Sequence, residues 1–206
     1  MSQPEPSRRR RPTNRFRICD VRRQLEGEFP EGPITIATDA SLRTETPFVA
    51  CGFLTTAGSY GLIAHPHPRA IIGNAITTVA ELRAVLYGIR NLGDTPATVL
   101  CDSLQAIRFL QRWQLGQVAY PRGYRTVRAH GRPSSLQVLA ERIGRQPEQY
   151  TFRWVRSHNG HPLNEAADRL AKLAFRVANH GINKEAAIRQ AKISVTKALG
   201  DYRPED

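Results

Sequence analysis

The chain has 206 residues, 40% of them hydrophobic, with 30 Lys or Arg against 18 Asp or Glu for a formal charge of +12. That length holds one α/β domain with a sizeable core plus tails, and leaves too little for two full domains. Cys19, Cys51 and Cys101 are far apart and form no CxxC pair, which argues against a disulfide framework or a zinc site; with no run of 18 apolar residues, a cytoplasmic protein without a membrane span is expected.

A positive surplus of this size favours a polyanionic partner, nucleic acid first among them. Half of it sits in residues 1–23, where eight Arg, including the run Arg8-Arg9-Arg10-Arg11, face only Glu5 and Asp20. Residues 1–31 therefore read as a basic arm, disordered on its own and suited to phosphate contact.

From Pro33 the pattern changes. Ile34-Thr35-Ile36-Ala37-Thr38 is a β-branched run that predicts a strand ending on Asp39. Phe48 to Thr55 and Tyr60 to His65 predict two more strands joined across Thr56-Ala57-Gly58-Ser59, so residues 34–65 form a three-stranded antiparallel meander. Gly52, inside the second of these, permits close backbone approach. Val79, Leu82, Leu86, Ile89 and Leu92 recur at helical spacing and predict an amphipathic helix that carries Glu81. Ala97 to Cys101 is the next strand and ends at Asp102; Leu104, Ile107 and Leu110 mark the helix after it. This alternation implies parallel pairing through right-handed crossovers.

Residues 114–133 set Arg122, Arg125, Arg128 and Arg132 among Tyr120, Tyr124, glycine and proline without a period, and read as a basic loop. Leu136, Leu139, Ala140 and Ile143 predict a helix, and Tyr150 to Val155 alternates as a strand does. Trp113 and Trp154 fall on apolar patterns and read as core. His161 suits a helix cap and Pro162 a first turn; the helix they open carries Asp168 beside the apolar line Leu163, Ala166, Ala167, Leu170, Ala174 and Val177. Asn183 as a cap, a stripe of Ile188, Ala191, Val195, Ala198 and Leu199, and Gly200 as a stop predict a last amphipathic helix over 183–199, either docked on the domain or offered to a protein partner.

The expected fold is α/β, a mixed five-stranded sheet of three antiparallel strands followed by two parallel ones, flanked by helices. Its domain spans 32–180, and 181–206 is a C-terminal helix and tail. Carboxylates past the ends of neighbouring parallel strands lie at one sheet edge, where ligands gather. Asp39 and Asp102 meet that condition, and the two helices can add Glu81 and Asp168. Four acids near one point repel and raise one another's pKa unless cations neutralise them. Oxygen donors are what Mg²⁺ prefers, and a pair of such ions can activate water and stabilise a leaving oxygen in phosphodiester cleavage.

Four stretches in this order resemble the type 1 ribonuclease H family and its ribonuclease H-like relatives: Thr38-Asp39-Ala40-Ser41, Ala80-Glu81-Leu82, Cys101-Asp102-Ser103, and the segment from Val155 to Asp168 with His158, Gly160 and His161. The resemblance covers about residues 33–178. It implies an endonuclease that cuts the RNA strand of RNA/DNA hybrids with two Mg²⁺ or Mn²⁺ ions, held by Asp39, Glu81, Asp102 and Asp168, and leaves 5′-phosphate ends. His158, on a loop with Gly160, would assist proton movement or product release, as an imidazole can near neutral pH. Ser41, Thr77 and Thr78 would meet the nucleic acid, the two threonines standing where the family usually has an asparagine pair. Arg8 to Arg11 in the arm and Arg122, Arg125 and Arg128 in the basic loop would contact phosphates. Ala40 replaces the glycine usual after the first Asp, and Leu42 to Pro47 replaces a glycine-rich stretch. A monomer is expected. The rival readings are a catalytically weak module that binds hybrid or double-stranded RNA on the same fold, and a DNA-directed relative such as an integrase or junction nuclease, whose families place their acids differently.

Overall fold

The computed structural model describes residues 18–29, 32–43, 46, 48–66 and 75–204. Arg8 to Arg11 lie outside them. Six strands form one sheet: β1 Cys19–Gln24, β2 Ile34–Ser41, β3 Phe48–Thr55, β4 Ser59–Pro66, β5 Ala97–Cys101 and β6 Tyr150–Trp154. Their order is β1-β4-β3-β2-β5-β6, antiparallel from β1 to β2 and parallel from β2 to β6. The helices are α1 Ile76–Ile89, α2 Leu104–Gln114, α3 Ser135–Arg145, α4 Pro162–His180 and α5 Lys184–Asp201. Among the described residues, none of them is long and apolar enough to cross a membrane.

The mixed sheet carries one strand more than the five expected. The addition is β1, in the segment read as a basic arm. Cys19 and Val21 are buried at 0% and 1% exposure, while Asp20 between them is exposed. The period-2 signal is real but only two apolar residues long, set among arginines, so charge outweighs it in a sequence reading. Once β4 is in place, its free edge supplies the backbone partners that a short strand needs.

Two apolar layers cover the sheet. On one face α1, α2 and α3 pack Val79, Leu82, Ile107, Leu110, Leu136 and Leu139 against Ile36, Val49, Val99 and Phe152. On the other, α4 and α5 share a core with Cys19, Val21, Ala37, Phe48, Leu54 and Leu62. The stripe of the last helix is therefore used inside the chain: Ala187, Ala191, Val195 and Ala198 are buried, which is the docked alternative rather than a surface held out to a partner. Trp113 is fully buried, as expected for core, but Trp154 is 45% exposed at the edge strand β6. Its indole N–H donates to the backbone oxygen of Asp102 at 2.9 Å, so its role is local.

Close approach at Gly52 fixes the second layer. A Cβ there would lie 2.3 Å from the Ala167 backbone oxygen and 2.4 Å from the Ala171 nitrogen, far inside contact distance. The backbone of α4 thus rests on β3 through a line of alanines, Ala167, Ala171 and Ala174. Gly52→Ala is expected to cost about 3 kcal/mol or more in a urea denaturation, the upper part of the range for overpacking, because rigid backbone rather than a side chain would have to yield.

Candidate active site

The register of β2 and β5 pairs Thr38 with Cys101, so the residues that follow them, Asp39 and Asp102, lie at the same edge of the sheet. Asp39 is not past the end of its strand as the sequence suggested. Strand β2 continues to Ser41, and Asp39 pairs with Gly52 of β3. Glu81 stands in the second turn of α1, and Asp168 on α4, one residue after the Ala167 that touches the Gly52 position. All four carboxylates line one cleft of about 280 Å³, together with Ala40, His158, Asn164, Glu165 and Lys172.

Burial differs among the four. Asp39 and Glu81 are 6% and 5% exposed, whereas Asp102 and Asp168 are half-buried. Burial first, and then the charges of Asp102 and Asp168, push the Asp39 carboxyl up to about 8. The Ala40 backbone N–H opposes the rise. Glu81 is raised well above its ordinary value by the same causes in the same order: burial first, then the charges of Asp39 and Asp102. Ligand atoms of Glu81, Cys101 and Asp102 lie within 4.8 Å of one another. Burial also pushes the Cys101 thiol up, so it sits 4.0 Å from Glu81 Oε2 as a protonated, weakly donating neighbour.

One cation enters the cleft. Lys172 Nζ donates to Asp168 Oδ2 at 2.6 Å, with the Lys172 side chain 56% exposed. Ser157 Oγ donates to Asp102 Oδ2 at 2.7 Å. Asn164 is 3% exposed, and its Oδ1 has no hydrogen-bond partner. A buried oxygen without a donor beside four acids fits a cation-binding lining, since such a group is costly unless a ligand completes it. The helical spacing that lets Asp168 pair with Lys172 is legible in the sequence, whereas Asn164 and Ser157 were not expected in the site. Asn164 was findable: Asn164, Asp168 and Lys172 follow one another at i, i+4 on α4 and share a face. Ser157 carries no such signal, because only the folded loop brings it to Asp102.

His158 lies on the rim of the cleft, exposed, in a left-handed backbone conformation with φ 53°. His161 caps α4, its Nδ1 accepting from the Asn164 backbone N–H at 3.4 Å. The proposed nucleic-acid contacts are spread more widely. Ser41 ends β2, and Thr77 and Thr78 occupy the first turn of α1, Thr77 exposed. Arg122 and Arg125 are exposed in the irregular segment before α3, whereas Arg128 lies over the Tyr124 ring at 5.1 Å and donates to its hydroxyl at 3.0 Å. Arg128 thus braces the loop from within. The three cysteines are free and buried.

The raised Asp39 carboxyl has a consequence for stability. The folded chain holds that proton up to about pH 8, whereas the unfolded chain releases it near its ordinary 3.8, so stability falls as pH rises through this window. In EDTA, Asp39→Asn is expected to exceed the parent at pH 8 by several kcal/mol, with about 5 kcal/mol as the upper bound set by the shift, and the difference should close toward pH 4. Urea denaturation at a series of pH values measures it.

Comparison with known proteins shows the family. The RNase H family profile matches residues 31–176. A ribonuclease H of Bordetella pertussis is 31% identical over 159 residues, which is 75% of this chain and 96% of that protein. Ribonucleases H of Anaeromyxobacter dehalogenans and Tropheryma whipplei are 37% and 36% identical over 112 and 107 residues, 53% and 50% of this chain. The match spans 57% and 63% of the length of those two relatives. With four acids gathered at one sheet edge and most of its length matched by the profile, the chain belongs to the RNase H family.

Proposed function

We propose that the protein is an endonuclease that hydrolyses the RNA strand of RNA/DNA hybrids with two divalent ions, Mg²⁺ or Mn²⁺, held by Asp39, Glu81, Asp102 and Asp168. One observation carries the reading: four carboxylates from four separate elements line a single small cleft, two of them buried with raised pKa values. Such an arrangement opposes folding, and it is relieved when cations bind. The relatives named ribonuclease H and the net charge of +12 support a polyanionic substrate.

Bound divalent ions supply an activated water and stabilise the departing oxygen. The chain's own groups do the rest. Asp39 and Glu81, biased toward their neutral forms by burial and neighbouring charge, would be favoured as carboxylates beside bound cations. Lys172 could leave Asp168 at little cost, since its stem is exposed and an exposed ion pair is worth roughly 0–1 kcal/mol. His158, on an exposed turn at the rim, hands a proton between solvent and the reacting strand. Thr77, Thr78 and Ser41 offer hydroxyls to sugar oxygens, and Arg122 and Arg125 meet phosphates. The catalytically weak binding module keeps one supporting feature, the Lys172–Asp168 pair, in which an ammonium neutralises one of the four carboxylates.

Labelled RNA/DNA hybrid, double-stranded RNA and double-stranded DNA, each incubated with Mg²⁺, Mn²⁺ or EDTA, separate these readings. Cutting of hybrid alone, and only with metal, is the expected result; binding without cutting in either metal favours the weak module, and cutting of DNA refutes both. Asp39→Asn should lose turnover while hybrid binding stays within about twofold, because phosphate contacts dominate affinity. Removal of residues 1–17 takes away six arginines and stops short of the buried Cys19 and Val21. It should weaken hybrid binding and reduce the slope of log K against log salt by about 2 or more. An unchanged slope removes the arm from the binding surface.

A further inference from the structure

Asp102 is the carboxylate of the cleft with the least help from its own element. It follows the last residue of β5, and it is only half-buried. Its neighbours come instead from the end of β6 and the loop beyond. The Val155 backbone N–H donates to the Cys101 oxygen at 3.1 Å, the Trp154 indole N–H to the Asp102 backbone oxygen at 2.9 Å, and the Ser157 hydroxyl to Asp102 Oδ2 at 2.7 Å. The first two fix the main chain at this corner. Ser157 alone among these three fixes the carboxylate.

The geometry points to Ser157 as a positioning residue that sets the divalent-ion affinity of the cleft by orienting Asp102. The inference rests on the reading of the cleft as a divalent-ion site. A carboxylate offers about four lone-pair positions on two oxygens. With one position on Oδ2 taken by the hydroxyl, rotation about the side chain is restricted and Oδ1 is left for a cation. Hydrogen bonds of this kind, from a neighbour to a ligating carboxylate, tune affinity by about 10–100-fold in metal sites generally. The Ser157 bond is exposed to solvent, which sets the expectation at the lower end.

The same hydroxyl ties down the turn that follows. His158 is the next residue, with its left-handed φ of 53°, and Gly160 follows at φ 86° with open space around it. Two such positions in three residues leave the turn few packing contacts of its own. Gly160 N–H to Glu165 Oε1 at 3.1 Å and His161 N–H to Asn159 Oδ1 at 3.2 Å hold its far side, so Ser157 is the anchor on the side of the carboxylates. One bond therefore serves both the acid and the approach of His158 to the cleft.

The test uses the full chain. Mn²⁺ binding is followed by titration calorimetry without substrate for the parent, Ser157→Ala and Ser157→Thr, and thermal unfolding in EDTA is recorded for each. Ser157→Ala should weaken Mn²⁺ binding about tenfold, Ser157→Thr should stay within about twofold, and the melting temperatures in EDTA should coincide. At saturating Mn²⁺ the KM for hybrid should be unchanged. Parent-like Mn²⁺ binding in Ser157→Ala overturns the inference, as does an equal loss in both variants, which would assign the effect to loop shape rather than to the hydroxyl. If the parent itself binds no Mn²⁺, the divalent-ion reading of the cleft falls and Ser157 with it, an outcome distinct from a parent that binds and a variant that binds equally.

Discussion

The absence of a side chain at Gly52 is the constraint on which the cleft depends. Gly52 sits opposite Asp39 in the β2–β3 register, and the α4 backbone at Ala167 and Ala171 occupies the space a Cβ would need. Asp168 follows Ala167 directly. The contact that seats the helix on the sheet is therefore also the contact that brings the fourth acid to the first. Packing and site geometry are set by one missing methyl group, and the small residues along α4 are what allow a helix backbone to rest on a strand.

That closeness has an electrostatic cost. Asp39 and Glu81 are buried among like charges, and burial and repulsion both drive them toward the neutral form. The less buried pair is handled differently: Asp168 takes the ammonium of Lys172, and Asp102 takes the hydroxyl of Ser157. The deep acids are thus pushed toward their neutral forms, and the shallow ones are held by neighbours.

Much of this was legible in the sequence because it rests on periodicity. The β-branched run before Asp39, the apolar helix around Glu81 and the short strand before Asp102 each announce an element and place one acid on it, and Gly52 stands out as a strand glycine that needs a close neighbour. What stayed hidden depends on partners distant in the chain. Strand β1 exists through the free edge of β4 more than through its own two apolar residues. Trp154 looks like core by pattern, yet it lies on β6, which no further strand covers among the described residues. The hydroxyl of Ser157 meets Asp102 across 55 positions, and nothing local marks it. Whether the last helix docks or is held out also turns on a surface, that of α4, which only the folded chain displays.

The segments that flank the profile-matched region bear on the same helix. Strand β1 precedes residue 31 and α5 follows residue 176, yet Cys19 and Val21 from one and Ala187, Ala191 and Val195 from the other enter the core that α4 shares with the sheet. At the end of α5 the Tyr202 hydroxyl donates to Thr35 Oγ1 at 3.3 Å, and its ring stands 6.0 Å from that of His161, the cap of α4. Tyr202 therefore bridges β2, the strand of Asp39, and the start of α4, the helix of Asp168. Around the glycine contact Leu163, Leu170 and Phe175 of α4 interlock with the sheet, Phe175 with its ring 5.1 Å from that of Phe48, and sliding by one residue would break this packing and carry Asp168 away from Asp39. Fixing its cap from one side and covering its outer face from the other restrains that motion, so the added segments act on the site through the position of α4 rather than by contact with the acids.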